Sequence, residues 1–152
     1  NPDRVRIAEI LQFEAQQIGV KIEVFVEEWG AYLSRVQETD DFDIFILGWA
    51  GQLDPDRAMI RQFHTDGANN YGKYSNERLD YLLEYGRTVP PDSQESIEIY
   101  REAQEIVVRE VPYGFINYSE EVGLHHNYIK NWRVHPYGAG AWQDVHLIVK
   151  ER

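Results

Sequence analysis

Phe42-Asp43-Ile44-Phe45-Ile46-Leu47-Gly48-Trp49, followed by Ala50-Gly51-Gln52-Leu53-Asp54-Pro55, is a run of apolar, β-forming residues that stops abruptly at a glycine, a tryptophan and a polar loop. It predicts an interior parallel strand, because a strand covered by helices on both faces has no side to give to water. Gly48 ends the run, which leaves Trp49 at the strand's carboxyl end. Open α/β sheets bind their ligands at that end. The stretch therefore predicts a binding surface around Trp49.

Upstream, Val20, Ile22, Val24 and Val26 alternate with Lys21, Glu23 and Glu27, the period-two pattern of a strand with one polar-edged face. Trp29 follows at once. Tyr32, Leu33 and Val36 form a short amphipathic helix leading to the strand over 42–47. Strand, short helix, strand is a right-handed parallel crossover, and it sets Trp29 and Trp49 on the same rim. Ahead of it, Asn1 caps a helix with Pro2 in its first turn; Ile7, Ile10, Leu11, Ala15 and Ile18 share one face, and Gly19 closes it. Nothing precedes that cap, a pattern expected of a piece of a longer protein whose targeting sequence lies upstream.

Downstream, Asp54-Pro55 repeats the cap-plus-proline start and opens a helix with Ala58, Met59 and Phe63 inward. Residues 64–75 read as a polar loop punctuated by Gly67, Gly72 and Asn69-Asn70, carrying Tyr71 and Tyr74 and suited to covering a rim. Ser75 is the expected cap of a helix with Leu79, Leu82 and Leu83 inward, ending near Gly86. Asp92-Ser93-Gln94-Glu95 has a capping-box arrangement before a long helix. That helix has Tyr100, Ala103, Ile106 and Val107 as its buried stripe and stops before Pro112. Residues 113–118, 121–125 and 144–149 read as strands.

Composition sets the outer limits. The chain has 152 residues, 43% of them hydrophobic, enough for one globular domain or part of a larger protein. A net charge of −11 argues against a nucleic-acid surface, which needs clustered Lys and Arg. The absence of Cys removes disulfides and thiolate chemistry. No run of apolar residues approaches membrane-spanning length.

In this order the features resemble the carboxyl-terminal lobe of an extracytoplasmic solute-binding protein of ABC importers, in the peptide/nickel (oligopeptide- and dipeptide-binding) family. The resemblance is carried by the helix over 4–19 running into Ile18-Gly19-Val20-Lys21-Ile22, then Glu28-Trp29, then the stretch from Phe42-Asp43 to Gly48-Trp49 with Asp54-Pro55. Asn70, Tyr74-Ser75-Asn76, Leu82-Leu83 and the helix from Tyr100 to Val111-Pro112-Tyr113 complete it. It implies an α/β, periplasmic-binding-protein-like lobe with a mixed, mostly parallel sheet flanked by helices. Residues 1–130 would form the ligand-binding lobe, and 131–152 a return segment packing on an amino-terminal lobe outside this chain. It also implies a periplasmic or lipid-anchored location, a small-molecule or peptide solute and permease subunits as partners, no cofactor, and no catalysis.

Within that resemblance, Trp29 and Trp49 match cavity-lining tryptophans, and Ala50 and Gln52 fall in the loop that contacts ligand backbone. Asn70, Tyr71, Phe115 and Tyr118 complete the candidate ligand set. Peptide-binding members carry an aspartate at the position of Gln52, where it pairs with the peptide ammonium. A neutral amide hydrogen-bonds but does not neutralise a buried charge, which shifts the expectation towards oligosaccharides or other solutes. Two blander readings stand beside these: the tryptophans as ordinary packing, and Asp54 as either substitute carboxylate or helix cap. A hydrolase using Glu27, Glu28, Asp54 and Asp56, or a sensor domain of the same fold, are the alternative functions. His64, His125, His126, His135 and His146 lack metal-ligand spacing.

Overall fold

Asn1 accepts hydrogen bonds on its side-chain oxygen from the Asp3 and Arg4 amides, at 3.0 and 3.1 Å, and so satisfies two donors that a helix start leaves unpaired. In the computed structural model, which describes residues 1–50, 52, 54–118, 120, 122–132 and 148–150, this cap opens helix α1, Pro2–Gln17. The chain divides into two compact units, Asn1–Trp49 and Ala50–Arg152.

The first unit continues with α2, Trp29–Ser34, which widens into a π-helical turn over Arg35–Thr39 and ends at Asp40 in a left-handed conformation. Val36 is its buried side chain, 1% exposed. The expected face of α1 stays open: Ile10, Leu11 and Ile18 are exposed. Residues 20–27 and 42–49 hold no ladder, in contrast to the parallel strands that their patterns predict. A parallel strand takes its backbone partners from neighbours on both sides. Side chains supply partners here instead. Gln12 Nε2 donates to the Ile22 carbonyl at 2.7 Å and the Tyr32 hydroxyl to the Ile46 carbonyl at 2.8 Å.

In the second unit, α3 (Pro55–Phe63), α4 (Glu77–Gly86) and α5 (Gln94–Glu110) turn their apolar stripes inward. Met59 and Phe63, Leu79, Leu82 and Leu83, and Tyr100, Ala103, Ile106 and Val107 meet in one core, as their helical spacing predicts. Asn76 rather than Ser75 caps α4, its oxygen accepting from the Leu79 amide at 2.9 Å, while Ser75 Oγ bonds Thr65 Oγ1 at 2.9 Å. Ser93 caps α5 through the Ser96 amide at 3.0 Å. The α4–α5 hairpin is tied at two points. Arg78 forks onto Glu102 at 2.7 and 2.8 Å, and Glu110 accepts from the Tyr74 hydroxyl at 2.6 Å and from Asn76 Nδ2 at 2.8 and 2.9 Å.

The loop over 64–75 is fixed from within by Asn70, 7% exposed. Its amide nitrogen donates to the His64, Thr65 and Tyr74 carbonyls and its oxygen accepts from the Tyr74 amide. Gly67 lets this loop close on α3: a Cβ there would stand 2.6 Å from the Arg61 carbonyl oxygen and 2.7 Å from that of Ile60.

Among the described residues the one ladder is antiparallel, Ile129–Lys130 (β1) with Val149–Lys150 (β2). The described parts of 113–118 and 121–125 hold no strand, and Tyr118 and Leu124 are almost fully exposed. Residues 133–147, most of the expected return segment and final strand, lie outside the described residues, as do His135 and His146. The described architecture is helix-rich with a small sheet, consistent with an α/β lobe.

Three outcomes are expected. Gly67→Ala forces backbone to move and is expected to cost about 1–3 kcal/mol, and Leu83→Ala about 2–5 kcal/mol, both measured by urea unfolding. Glu110 is held below its ordinary 4.5 by the Tyr74 and Asn76 hydrogen bonds, so its stabilisation is complete above that value and fades as pH falls through the lowered one. The stability gap between wild type and Glu110→Gln, read from urea midpoints, is expected to be open near neutral pH and closed in acid.

Candidate functional site

Glu28 lies in extended backbone at the entrance to α2, and its carboxylate accepts from the Gly30 and Ala31 amides at 2.7 and 3.3 Å. The cap makes Trp29 the first residue of the helix, with about half of its surface in water. Tyr32, three residues on and therefore on the same helix face, stacks against it with ring centroids 5.7 Å apart and planes 21° apart. Arg4, in the first turn of α1, brings its guanidinium to 5.7 Å from the Trp29 ring centroid.

The chain over 42–49 meets this cluster from the other side of the unit's sequence. The Tyr32 hydroxyl holds the Ile46 carbonyl, and Arg4 Nη2 lies 3.2 Å from the place where a Cβ on Gly48 would sit. A glycine there leaves room for the guanidinium. Burial raises the Tyr32 hydroxyl above its usual range, partly offset by Arg4, so it remains a donor. Trp49 follows Gly48 with 37% of its surface exposed. The first unit therefore groups Arg4, Trp29, Tyr32, Ile46 and Gly48 directly before Trp49.

The neighbouring acids are occupied. Glu27 takes Arg35 in a fork at 2.8 and 2.9 Å, which holds its carboxyl below the usual range, and Asp41 also pairs with Arg35. In the second unit Asp54 caps α3 through the Asp56 amide at 2.9 Å. Asp56 faces Arg87 at 3.5 Å, and burial raises its carboxyl while one of its oxygens stays unpartnered. Glu27, Glu28, Asp54 and Asp56, the acids a hydrolase reading would use, thus serve as ion-pair and cap residues.

Of the other candidate contacts, Ala50 and Gln52 are exposed, and Asn70 spends its amide on the loop described above. Tyr71 is half-buried with its hydroxyl donating to Asn69 Oδ1 at 3.3 Å, and Phe115 and Tyr118 are exposed. A shallow hollow of about 320 Å³ lies over Arg61, His64, Asp66, Glu84 and Arg87. His64 Nδ1 accepts from the Asp66 amide at 3.0 Å, which leaves Nε2 to donate to Glu84 at 3.2 Å. No group of three acids or histidines among the described residues is placed to hold a metal.

The sequence reading passed over Arg4 and treated Tyr32 as part of a buried stripe. A signal was present for Arg4: a cation in the first turn of a helix stands at the wrong end of the helix dipole.

No protein-family model matches the chain. Curated relatives do. The Di/tripeptide-binding protein 1 of Pseudomonas aeruginosa (strain UCBPP-PA14) is 28% identical over 148 residues, 95% of this chain and 27% of the relative. The Dipeptide-binding protein of Escherichia coli (strain K12) is 26% identical, covering 97% of this chain and 28% of the relative. The match is to peptide-binding proteins. The resemblance drawn from the motifs thus holds along nearly the whole chain, which spans little more than a quarter of these relatives' length. The Heme-binding protein A of Haemophilus influenzae is 27% identical over 95% of the chain and 27% of its own length, so similarity of this degree accompanies different printed ligands.

Tyr32→Phe keeps the ring stack and strips the Ile46 carbonyl of its partner. It is expected to cost about 1 kcal/mol in urea unfolding, with the Trp29 fluorescence maximum unchanged.

Proposed function

We propose that this chain is part of the ligand-binding lobe of an extracytoplasmic solute-binding protein that captures a solute and passes it to the permease of an ABC importer. The reading is carried by the similarity to binding proteins over 95% of the chain. The exposed tryptophans support it, since a half-exposed indole offers apolar area to a ligand at little entropic cost. On this reading residues 1–130 belong to the lobe, and 131–152 return to a second lobe outside this chain. Residues 20–27 and 42–49 join a mostly parallel sheet when their neighbours are present.

Trp29, Trp49, Ala50 and Gln52 make the ligand contacts, with Tyr71, Phe115 and Tyr118 as outer contacts and Asn70 setting the loop that carries Tyr71. The protein performs no chemistry; capture works because solute contacts favour a closed arrangement over an open one, and only that difference moves the equilibrium. Gln52 cannot neutralise a buried ammonium, so peptide-like solutes without a free amine, or oligosaccharides, fit better than free-amine peptides. No described helix is long and apolar enough to cross a membrane.

Calorimetry on the full-length protein with free dipeptides, N-acetylated dipeptides and oligosaccharides tests this. Binding of one class is expected, weakened about tenfold or more by Trp49→Ala, the loss of a stacked aromatic contact. Failure of the whole panel to bind, or indifference to Trp49→Ala, would falsify the assignment.

A further inference from the structure

Asp56 is tied twice at the start of α3. Its amide donates to the Asp54 carboxylate at 2.9 Å, and its own carboxylate reaches Arg87, the residue that closes α4, at 3.5 Å. The pair joins the first turn of one helix to the end of another. A Cβ on Gly86 would stand 2.9 Å from both Cζ and the hydroxyl oxygen of Tyr100, so glycine is what lets that ring of α5 lie against the end of α4. The groups facing Asp56 are thus Asp54 from α3 itself, Arg87 from the α4 end and Tyr100 from α5; burial and the two aspartates push the Tyr100 hydroxyl up to about 12, so it stays protonated. One Asp56 oxygen is buried without a hydrogen-bond partner. Burial raises the Asp56 carboxyl above its ordinary 3.8, Arg87 offsets part of the rise and Asp54 adds to it. The folded chain therefore holds this proton more tightly than the unfolded chain does. Ionised Asp56 costs stability at neutral pH, and the cost disappears as pH falls through the raised value. A pair kept at a cost points to a use in position rather than in stability.

We infer that the Asp56–Arg87 pair is a positioning clasp for the loop that carries Gln52, and that it holds only while Asp56 is ionised. The inference rests on the solute contact proposed above for Gln52, which stands four residues ahead of Asp56, and adds to it a proton-sensitive control. The loop enters α3 through Asp54 and Asp56, so whatever fixes the first turn of α3 fixes the direction from which the chain arrives. With Asp56 ionised, Arg87 holds that turn against the end of α4. With Asp56 protonated, the turn keeps the Asp54 cap but loses the charged link, and Gln52 ranges more widely. A contact that depends on prior order is then weaker, because binding must supply the ordering itself. Solute capture is firm near neutral pH and looser in acid, although this residue makes the folded unit more stable in acid.

Asp56→Asn in the full-length protein keeps the shape of the side chain and removes its charge. Amide hydrogen exchange over 50–58, corrected for its intrinsic pH dependence, is expected to quicken in wild type between about pH 7 and about pH 4.5, and to be fast at both values in Asp56→Asn. Arg87→Gln cuts the clasp from the other side and is expected to do the same, while Arg87→Lys keeps the wild-type response. The urea midpoint of Asp56→Asn at neutral pH is expected to be no lower than that of wild type, an outcome that a merely stabilising pair would not give. Calorimetry with alanyl-alanine, N-acetyl-alanyl-alanine and cellobiose is expected to show the probe that binds doing so about threefold more weakly in acid or in Asp56→Asn, the scale of a partly exposed ion pair. Exchange over 50–58 that is the same in wild type, Asp56→Asn and Arg87→Gln overturns the clasp, as does an affinity that falls equally with pH in wild type and Asp56→Asn. If exchange responds as expected and wild type binds none of the three probes, the solute reading of the loop fails and the control of capture with it, whereas the clasp itself is seen.

Discussion

Leu79, Leu83 and Ala103 have given up all contact with water, and the second unit depends on that exclusion. Each fully buried leucine contributes about 1.5–3 kcal/mol. The contribution requires α4 and α5 to lie against each other with stripes facing, and α3 to close the remaining side. Polar groups then fix the register that apolar contact leaves loose. The Arg78–Glu102 fork and the Tyr74–Glu110–Asn76 set hold the hairpin at two heights, and Asn70 turns the loop over 64–75 into a fixed cap on α3. Burial and the nearby Glu110 carboxylate push the Tyr74 hydroxyl up to about 12, so it stays a donor at any physiological pH.

The first unit is held by other means. With Val36 as its buried side chain, it relies on an ion-paired triad at Arg35, an aromatic pair at Trp29 and Tyr32, and side chains that satisfy backbone carbonyls. Contacts of this kind are individually worth about 1 kcal/mol or less. They arrange functional groups well without supplying a large hydrophobic gain. Its uncovered apolar side chains, Phe25 and Ile44 among them, are what a sheet buried on both faces would enclose.

Helices were readable from the sequence because their signals are local. Asn1-Pro2 and Asp54-Pro55 mark starts through hydrogen bonds made within one turn, and the leucine spacing of α4 reports its buried face directly. Asn76 displaced Ser75 as a cap because it also reaches Glu110, a partner 34 residues away that no local pattern contains. The apolar runs at 20–27 and 42–49 report only a capacity for pairing, since strands are completed by distant chain. At the candidate site, tryptophans at the ends of apolar runs were visible; the guanidinium over Trp29 was not, because its place depends on three segments meeting.

Tyr32 and Gln12 have one more effect. An extended segment with bare carbonyls is a template on which another chain can lay a strand, and Ile22 and Ile46 each sit in such a segment. Because a hydroxyl and an amide already occupy those two oxygens, an incoming strand must first evict them. The same bonds that settle the backbone therefore also close those two carbonyls to an incoming strand.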